Sequence, residues 1–308
     1  MATQLKKTVK PSGGDYTSLE ACLNDNEQNL VTADKYFDVE ISGEWSSADT
    51  TAVTIHNYTT DSTRYINIYA TGDAKHSGKV GTGYTLKNTL LISFVPYTRI
   101  TDLILEPTGN VTDIATGGVC FRNSANSVVN RCVIKSVGHG VACAYGAIKV
   151  ANSVIYRATR EYFSRGVDDL SNYATIVYNC IIWNYDYPTR GSGNYVKNCF
   201  EFYTGIETRA SFGCSSDNSS NNATSRESES AIFTLTELTV ADEIEDYANG
   251  DARLKSTSNL INAGVDLGSD YNTDIIGTSR PQGDAWDIGA FEYVSAVSKR
   301  RLLMGVGI

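Results

Sequence analysis

The sequence predicts an all-β chain wound as a solenoid, and three observations carry that reading. The first is composition. Of 308 residues 26 are Gly and only 5 Pro, charged residues make up 20%, and the excess lies in Thr, Ser, Asn, Val, Ile and Tyr, the residue types of short strands and tight corners. The second is recurrence: Val129-Asn130-Arg131-Cys132-Val133-Ile134 aligns with Val150-Ala151-Asn152-Ser153-Val154-Ile155, then with Val177-Tyr178-Asn179-Cys180-Ile181-Ile182 and Val196-Lys197-Asn198-Cys199-Phe200-Glu201, at offsets of 21, 27 and 19 residues. Ile100 to Leu105 fits the same register 29 residues earlier. The third is what the repeat lacks, namely the leucine lattice of leucine-rich repeats and the long amphipathic stretches of helical repeats. A parallel β-helix satisfies all three, because short strands stack coil on coil while the loops between them vary in length.

The elements follow in order. Residues 1–30 read as a strand, a turn at Pro11-Ser12-Gly13-Gly14 and a cap helix over Thr17 to Leu23, with Thr17 or Ser18 as its cap and Leu19, Cys22 and Leu23 on one face. Residues 31–293 read as the coil, beginning with strands at Lys35 to Ile41, Ala52 to Ile55, Arg64 to Ala70, Thr89 to Phe94 and Arg99 to Leu105. Stacking the repeats places Cys132, Ser153, Cys180 and Cys199 in an internal column of small residues, and Asn152, Asn179 and Asn198 at corners where an Asn tolerates a turn and bonds its neighbours above and below. Three segments, 138–147, 159–172 and 185–193, read as enlarged corners on one side, and 215–230 as a surface loop. Short pieces follow at Phe233 to Val240, a helical turn at Glu243 to Tyr247, a last strand at Ala252 to Leu254, and an irregular closure from about 258; 294–308 is a tail. Roughly ten turns are expected.

Charge and cysteine content exclude several classes. The net charge of −9 and the absence of a basic run longer than Lys299-Arg300-Arg301 leave no extended nucleic-acid footprint. No apolar stretch approaches the ~18 residues that cross a bilayer, so no membrane partner is expected. The seven cysteines are odd in number, lack a CxxC pair and are accompanied by only three histidines, which disfavours a disulfide framework, and no metal site is expected. Met1 to Lys7 has no signal-like apolar run, and the chain is expected either to be made in the cytoplasm or to have had a leader cut away.

Two motifs carry a resemblance. The opening Gly13-Gly14-Asp15-Tyr16-Thr17-Ser18-Leu19 and the closing string of Asp274, Gly277, Arg280, Pro281 and Asp287-Ile288-Gly289-Ala290-Phe291-Glu292 resemble the right-handed parallel β-helix proteins of the pectate-lyase-like superfamily, notably chains from bacteriophages and uncultured microbes. The resemblance implies a single-stranded right-handed coil. It leaves activity open, since the superfamily includes lyases, hydrolases, epimerases and non-catalytic phage tail or capsid-surface proteins, and it implies self-association, with homotrimers common among the phage relatives. In physical terms Ile288 and Phe291 suit a core, Gly289 a close backbone approach, and Asp287 or Glu292 a pairing with Arg280 that holds the last coil.

The chemistry-bearing residues gather between 160 and 190. A uronate lyase needs carboxylates that bind calcium and an Arg or Lys to take the proton from the sugar; Arg160, Glu161, Arg165, Asp168 and Asp169, with Asp186 and Arg190, are the local approximation. A glycosidase needs two carboxylates ~5 to 9.5 Å apart, for which Asp168 or Asp169 with Asp186 is the candidate. Tyr145, Tyr162, Trp183, Tyr185 and Tyr187 lie in or beside the enlarged corners and are candidate glycan contacts. The expected function is that of a non-catalytic virion component contacting other virion proteins and binding glycan, without cofactor. The alternatives are a polysaccharide lyase or hydrolase working in a groove of the 160–190 loops, calcium entering only with the lyase, and a secreted surface adhesin.

Overall fold

A computed structural model describes residues 1–87, 91–108, 118–158, 164–171, 173–204, 212–214, 216–226 and 230–295. The chain is a right-handed, single-stranded parallel β-helix with three sheets. The first sheet stacks Thr3–Val9, Lys35–Ile41, Ile66–Ala70, Thr98–Thr101, Val128–Asn130, Lys149–Ala151, Ile176–Tyr178 and Tyr195–Lys197. The second stacks Thr85–Leu86, Ile104–Leu105, Val133–Ser136, Val154–Arg157, Ile181–Trp183, Phe200–Phe202, Asn222–Thr224 and Phe233–Leu235. The third stacks Val53–Ile55, Leu91–Ser93, Val119–Arg122, Val141–Ala144, Arg165–Asp169 and Tyr187–Arg190.

The pairing register is the one the repeat dictates: Ile100, Val129, Val150, Val177 and Val196 are successive partners. Between first and second sheet the chain turns through one residue of positive φ, at Asp102, Arg131, Asn152, Asn179 and Asn198 in turn (φ 62°, 50°, 47°, 52° and 53°). The left-handed region disfavours most side chains, and Asn is among the few that visit it readily. Here side chains tie the corners together. Asn198 donates to Asn179 (3.1 Å), Asn179 to Asn152 (2.9 Å) and Asn152 to Asn130 (3.0 Å), and Arg131 grips Asp102 through two 2.9 Å bonds. The next column, Cys132, Ser153, Cys180 and Cys199, is buried; each Sγ or Oγ donates to a backbone carbonyl of its own or the preceding coil.

Both ends are closed. At the N-terminal end the helix Leu19–Asp25, capped by Ser18, turns Leu19, Cys22 and Leu23 onto the core. At the other end the inward column Leu105, Ile134, Ile155 and Ile182 gives way to Glu201 and Thr224. Glu201 is buried and held by Thr224 and Arg226.

Several expectations are corrected. The segments 138–147, 159–172 and 185–193 are not enlarged corners: their described parts contain the strands of the third sheet. The 215–230 segment holds the strand Asn222–Thr224, and Asp251–Leu254 pairs antiparallel with Ile244–Asp246 instead of joining the stack. Among the described residues the two largest sheets have eight strands each and are offset, the second starting at the coil of Ile66–Ala70 and running two strands past that of Tyr195–Lys197, so that together they span the roughly ten turns expected before the closing segment leaves the coil axis and runs back along its side.

That path has a physical cause. The outward residues of the second sheet, Ile104, Val133, Val154, Ile181 and Phe200, are as apolar as the inward ones, and a bare apolar face of this size is costly in water. Leu260, Ile275, Ile288, Ala290 and Phe291 cover it and form a second hydrophobic cluster outside the coil. Phe291 is buried there, not in the coil interior. Arg280 holds the strap together, its Nη1 donating to Glu292 (3.0 Å) and the Asp287 carbonyl (3.1 Å) and its Nη2 to the Gly289 carbonyl (2.7 Å). The Asp287 carboxylate instead accepts the backbone N–H groups of Asn262 and Tyr293. Gly289 (φ 107°) donates its N–H to the Asn198 carbonyl, and a Cβ there would meet Ile181 at 2.9 Å. Asn198 also exchanges hydrogen bonds with Val265 in both directions, so strap and corner ladder share one residue.

The ladder makes a quantitative forecast. Asn179→Ala removes two side-chain bonds and places a Cβ-bearing residue without local hydrogen bonding in the left-handed region, for a loss of about 2–4 kcal/mol. Asn179→Gly loses the same bonds without the conformational strain and retains about 1 kcal/mol more. Urea unfolding of the two variants beside the parent chain measures both differences.

Candidate functional site

Strand alternation aims one row of the third sheet inward and the next outward. Val141, Val167 and Thr189 are paired and buried, which leaves Ala142, Asp168 and Arg190 as the paired outward row. Asp168 is 0% exposed. It accepts Arg190 Nε at 2.5 Å and Nη2 at 3.2 Å, and Arg165 Nη1 at 3.4 Å. The Arg190 side chain stays 38% exposed and that of Arg165 19%. Tyr187 is paired with Arg165 across the two coils and is half-buried.

The electrostatics follow from burial. Burial pushes the Asp168 carboxyl up, while the charges of Arg190 and Arg165 pull it back toward the anion. Arg165 is held below the usual guanidinium range by burial and by the neighbouring charge of Arg190, and its Nε has no partner among the described residues. His139 is buried beneath the pair and its Nδ1 accepts the Arg165 backbone N–H at 3.2 Å. Burial, then Arg165, Arg190 and Arg157, lower its pKa from 6.5 to about 4. The site is thus one enclosed anion, two cations and a neutral imidazole.

The structure separates the other candidates from it. Asp169 is buried, and its carboxylate accepts the backbone N–H groups of Ser171 (3.1 Å) and Thr175 (3.3 Å), shaping the turn out of the strand. Asp186 is buried in the turn before Tyr187, its N–H on Ser164 Oγ. Asp168 is thus enclosed by guanidiniums and Asp169 is occupied by a turn, so both carboxylates proposed for the glycosidase pair with Asp186 already have partners. Among the described residues no group of three or more His, Cys, Asp or Glu side chains is placed to hold a metal ion, so the donor set that a lyase calcium needs is not assembled there.

The aromatic candidates divide as well. Tyr145 is 66% exposed and Tyr187 lies beside Arg165. Tyr185 is corrected from a glycan contact to a packing residue, and Trp183 lies away from the third sheet. Trp183 is sandwiched between Tyr156 (4.3 Å between ring centres) and Phe202 (5.1 Å) outside the second sheet, and Tyr185 is sealed in the core with its hydroxyl 2.8 Å from Ser136 Oγ. Arg160, Glu161 and Tyr162 lie outside the described residues. Sequence reasoning missed His139 as the support of Arg165, because nothing in spacing joins it to a residue 26 positions away.

Folded His139 takes up a proton only near pH 4, whereas the unfolded chain does so near 6.5. Its contribution to stability is therefore complete above pH 6.5 and lost as pH falls toward 4. Asn at this position keeps an acceptor for the Arg165 N–H and cannot titrate. Urea midpoints are expected to show the parent chain losing about 3 kcal/mol more than His139→Asn between about pH 7 and about pH 4.

No family model matches the chain, and no curated protein matches it. Among solved structures it is similar to that of pectate lyase Pel9A, at 12% identity over 95% of this chain and 97% of that one, with a TM-score of 0.45.

Proposed function

We propose that the chain binds an acidic polysaccharide along the outer face of the third sheet, with sugar carboxylates on Arg190 and Arg165 and a sugar ring beside Tyr187. The observation that carries this reading is the clamp on Arg190. A fully buried Asp168 engages its Nε and one Nη, so the remaining donors of the guanidinium point away from the carboxylate on a side chain that is still 38% exposed. Holding that side chain before the ligand arrives removes part of the ordering cost of binding. Because among the described residues one carboxylate, Asp168, answers the two guanidiniums, the patch keeps net positive charge and selects anionic over neutral sugars.

The setting proposed is a virion surface, with copies of the chain self-associated as a trimer among other virion proteins. Its support is the resemblance carried by Gly13 to Leu19 and by the closing string. A second reading, a polysaccharide lyase, is favoured by one observation: Arg165 combines a guanidinium of weakened proton affinity with an unpartnered Nε, the properties asked of a base that removes a proton beside a sugar carboxylate.

Polygalacturonate and neutral galactan, titrated calorimetrically, separate these readings. The expected result is salt-sensitive binding of polygalacturonate alone, at least about tenfold weaker in Arg190→Ala and in Tyr187→Ala, the latter leaving the Asp168 pair intact. Binding of both polymers alike would overturn the acidic-glycan reading. Steady growth of unsaturated-uronate absorbance that disappears in Arg165→Ala would replace binding by lysis.

A further inference from the structure

A cavity of about 480 Å³ lies away from the Arg165–Arg190 patch, between the outer face of the second sheet and residues 247–250. Its wall on the sheet side is one cross-coil row: Lys135, Tyr156 and Trp183 are successive partners. Because Trp183 has Tyr156 on one face and Phe202 on the other, only its ring edge is left for the cavity. Ring edges carry the positive end of the aromatic quadrupole. The opposite wall is Tyr247 to Gly250, with Tyr247 fixed edge-on against Phe202 at 5.6 Å. Asn184 closes the floor with its amide already committed to the Arg157 carbonyl and to Thr204.

The sheet-side wall offers a ligand two polar groups, Lys135 and the Tyr156 hydroxyl. Lys135 has no ion-pair partner among the described residues, and no acid is found among the described residues lining the cavity; by contrast Lys6, Lys75, Lys79 and Lys87 all lie within 3.7 Å of a carboxylate. Tyr156 is 6% exposed, yet its hydroxyl has no hydrogen-bond partner among the described residues. That hydroxyl borders Gly250 closely enough that a Cβ there would sit 2.7 Å away, which fixes it at the cavity wall. Burial pushes the phenol up to about 12, so it is a permanent donor at neutral pH. An ammonium without an ion-pair partner among the described residues, a phenol donor at the cavity wall and an aromatic edge converge on a volume that holds a sugar-sized molecule.

We propose that this cavity binds a sugar-sized organic anion, its carboxylate or phosphate held by Lys135 and by the hydroxyl of Tyr156. The inference does not rest on the polysaccharide site of the third sheet. Galacturonate, galactose 1-phosphate and galactose are titrated into the full chain, with binding followed by amide shifts and calorimetry. The two anions are expected to bind and galactose not to. Tyr156→Phe, which preserves the ring stack, and Lys135→Ala, at a partly exposed position, are each expected to weaken binding at least tenfold, while Arg190→Ala leaves it unchanged. Equal binding of galactose, no binding of either anion at millimolar concentration, or parent-like affinity in both cavity variants would overturn the proposal.

Discussion

The structure depends on a single corner repeated up the coil, where one residue turns left-handed and its side chain holds the coil beside it. Along a strand a register error of one residue exchanges the two faces. Each coil therefore needs a fixed starting point, and the bonds running from Asn198 through Asn179 and Asn152 to Asn130, followed by the Arg131–Asp102 pair, supply it. The consequence reaches the third sheet. Asp168 and Arg190 are in hydrogen-bonding range because their strands are paired in register one coil apart, and that register is inherited from the corner.

The same ladder anchors the strap. Asn198 bonds Asn179 on one side and Val265 on the other, and Gly289 donates to its carbonyl. The strap is bound to the coil by polar contacts at this residue and by apolar contact along the second sheet. Arg280, though buried, binds Glu292 and two strap carbonyls, so its work is to make the strap a rigid cover instead of joining it to the coil. Losing one partner of that pair costs about 3–5 kcal/mol, because the remaining charge stays buried.

How much was legible depends on which face carries the pattern. The first and second sheets announce themselves through Val129, Val150, Val177 and Val196 and the Asn and the Cys or Ser that follow each, since inward and corner positions draw on the same few residue types from coil to coil. The third sheet does not. Its strands include Gly166, Asp168, Pro188 and Arg190, residues of loop character, and its inward positions run from Val167 to Thr189, so no side-chain type recurs to mark it. The pairs Val133-Ile134, Val154-Ile155 and Ile181-Ile182 are apolar on both faces and so imply a cover. The identity of the cover was illegible, because 258–293 shares no period with the coil. In the site, Arg165, Asp168 and Arg190 were legible as a group, while burial reassigned Asp169 and Tyr185.

The anion binding proposed for a chain of net charge −9 needs a local explanation, and the two cationic places provide it. At physiological ionic strength charges farther than about 8 Å are largely screened, so a ligand responds to its immediate neighbours and not to the total. On the third sheet two guanidiniums answer one carboxylate, and that carboxylate is enclosed beneath them, where it orients the cations without facing an incoming anion. Solvent screens the exposed acids elsewhere far more effectively than it screens a partly buried pair. The distant negative charge then slows the approach of an acidic polymer in dilute salt more than it weakens the bound state, and both effects fade as salt rises, the first sooner. Burying the anion and leaving the cations at the surface is what allows an acidic protein to present a positive face.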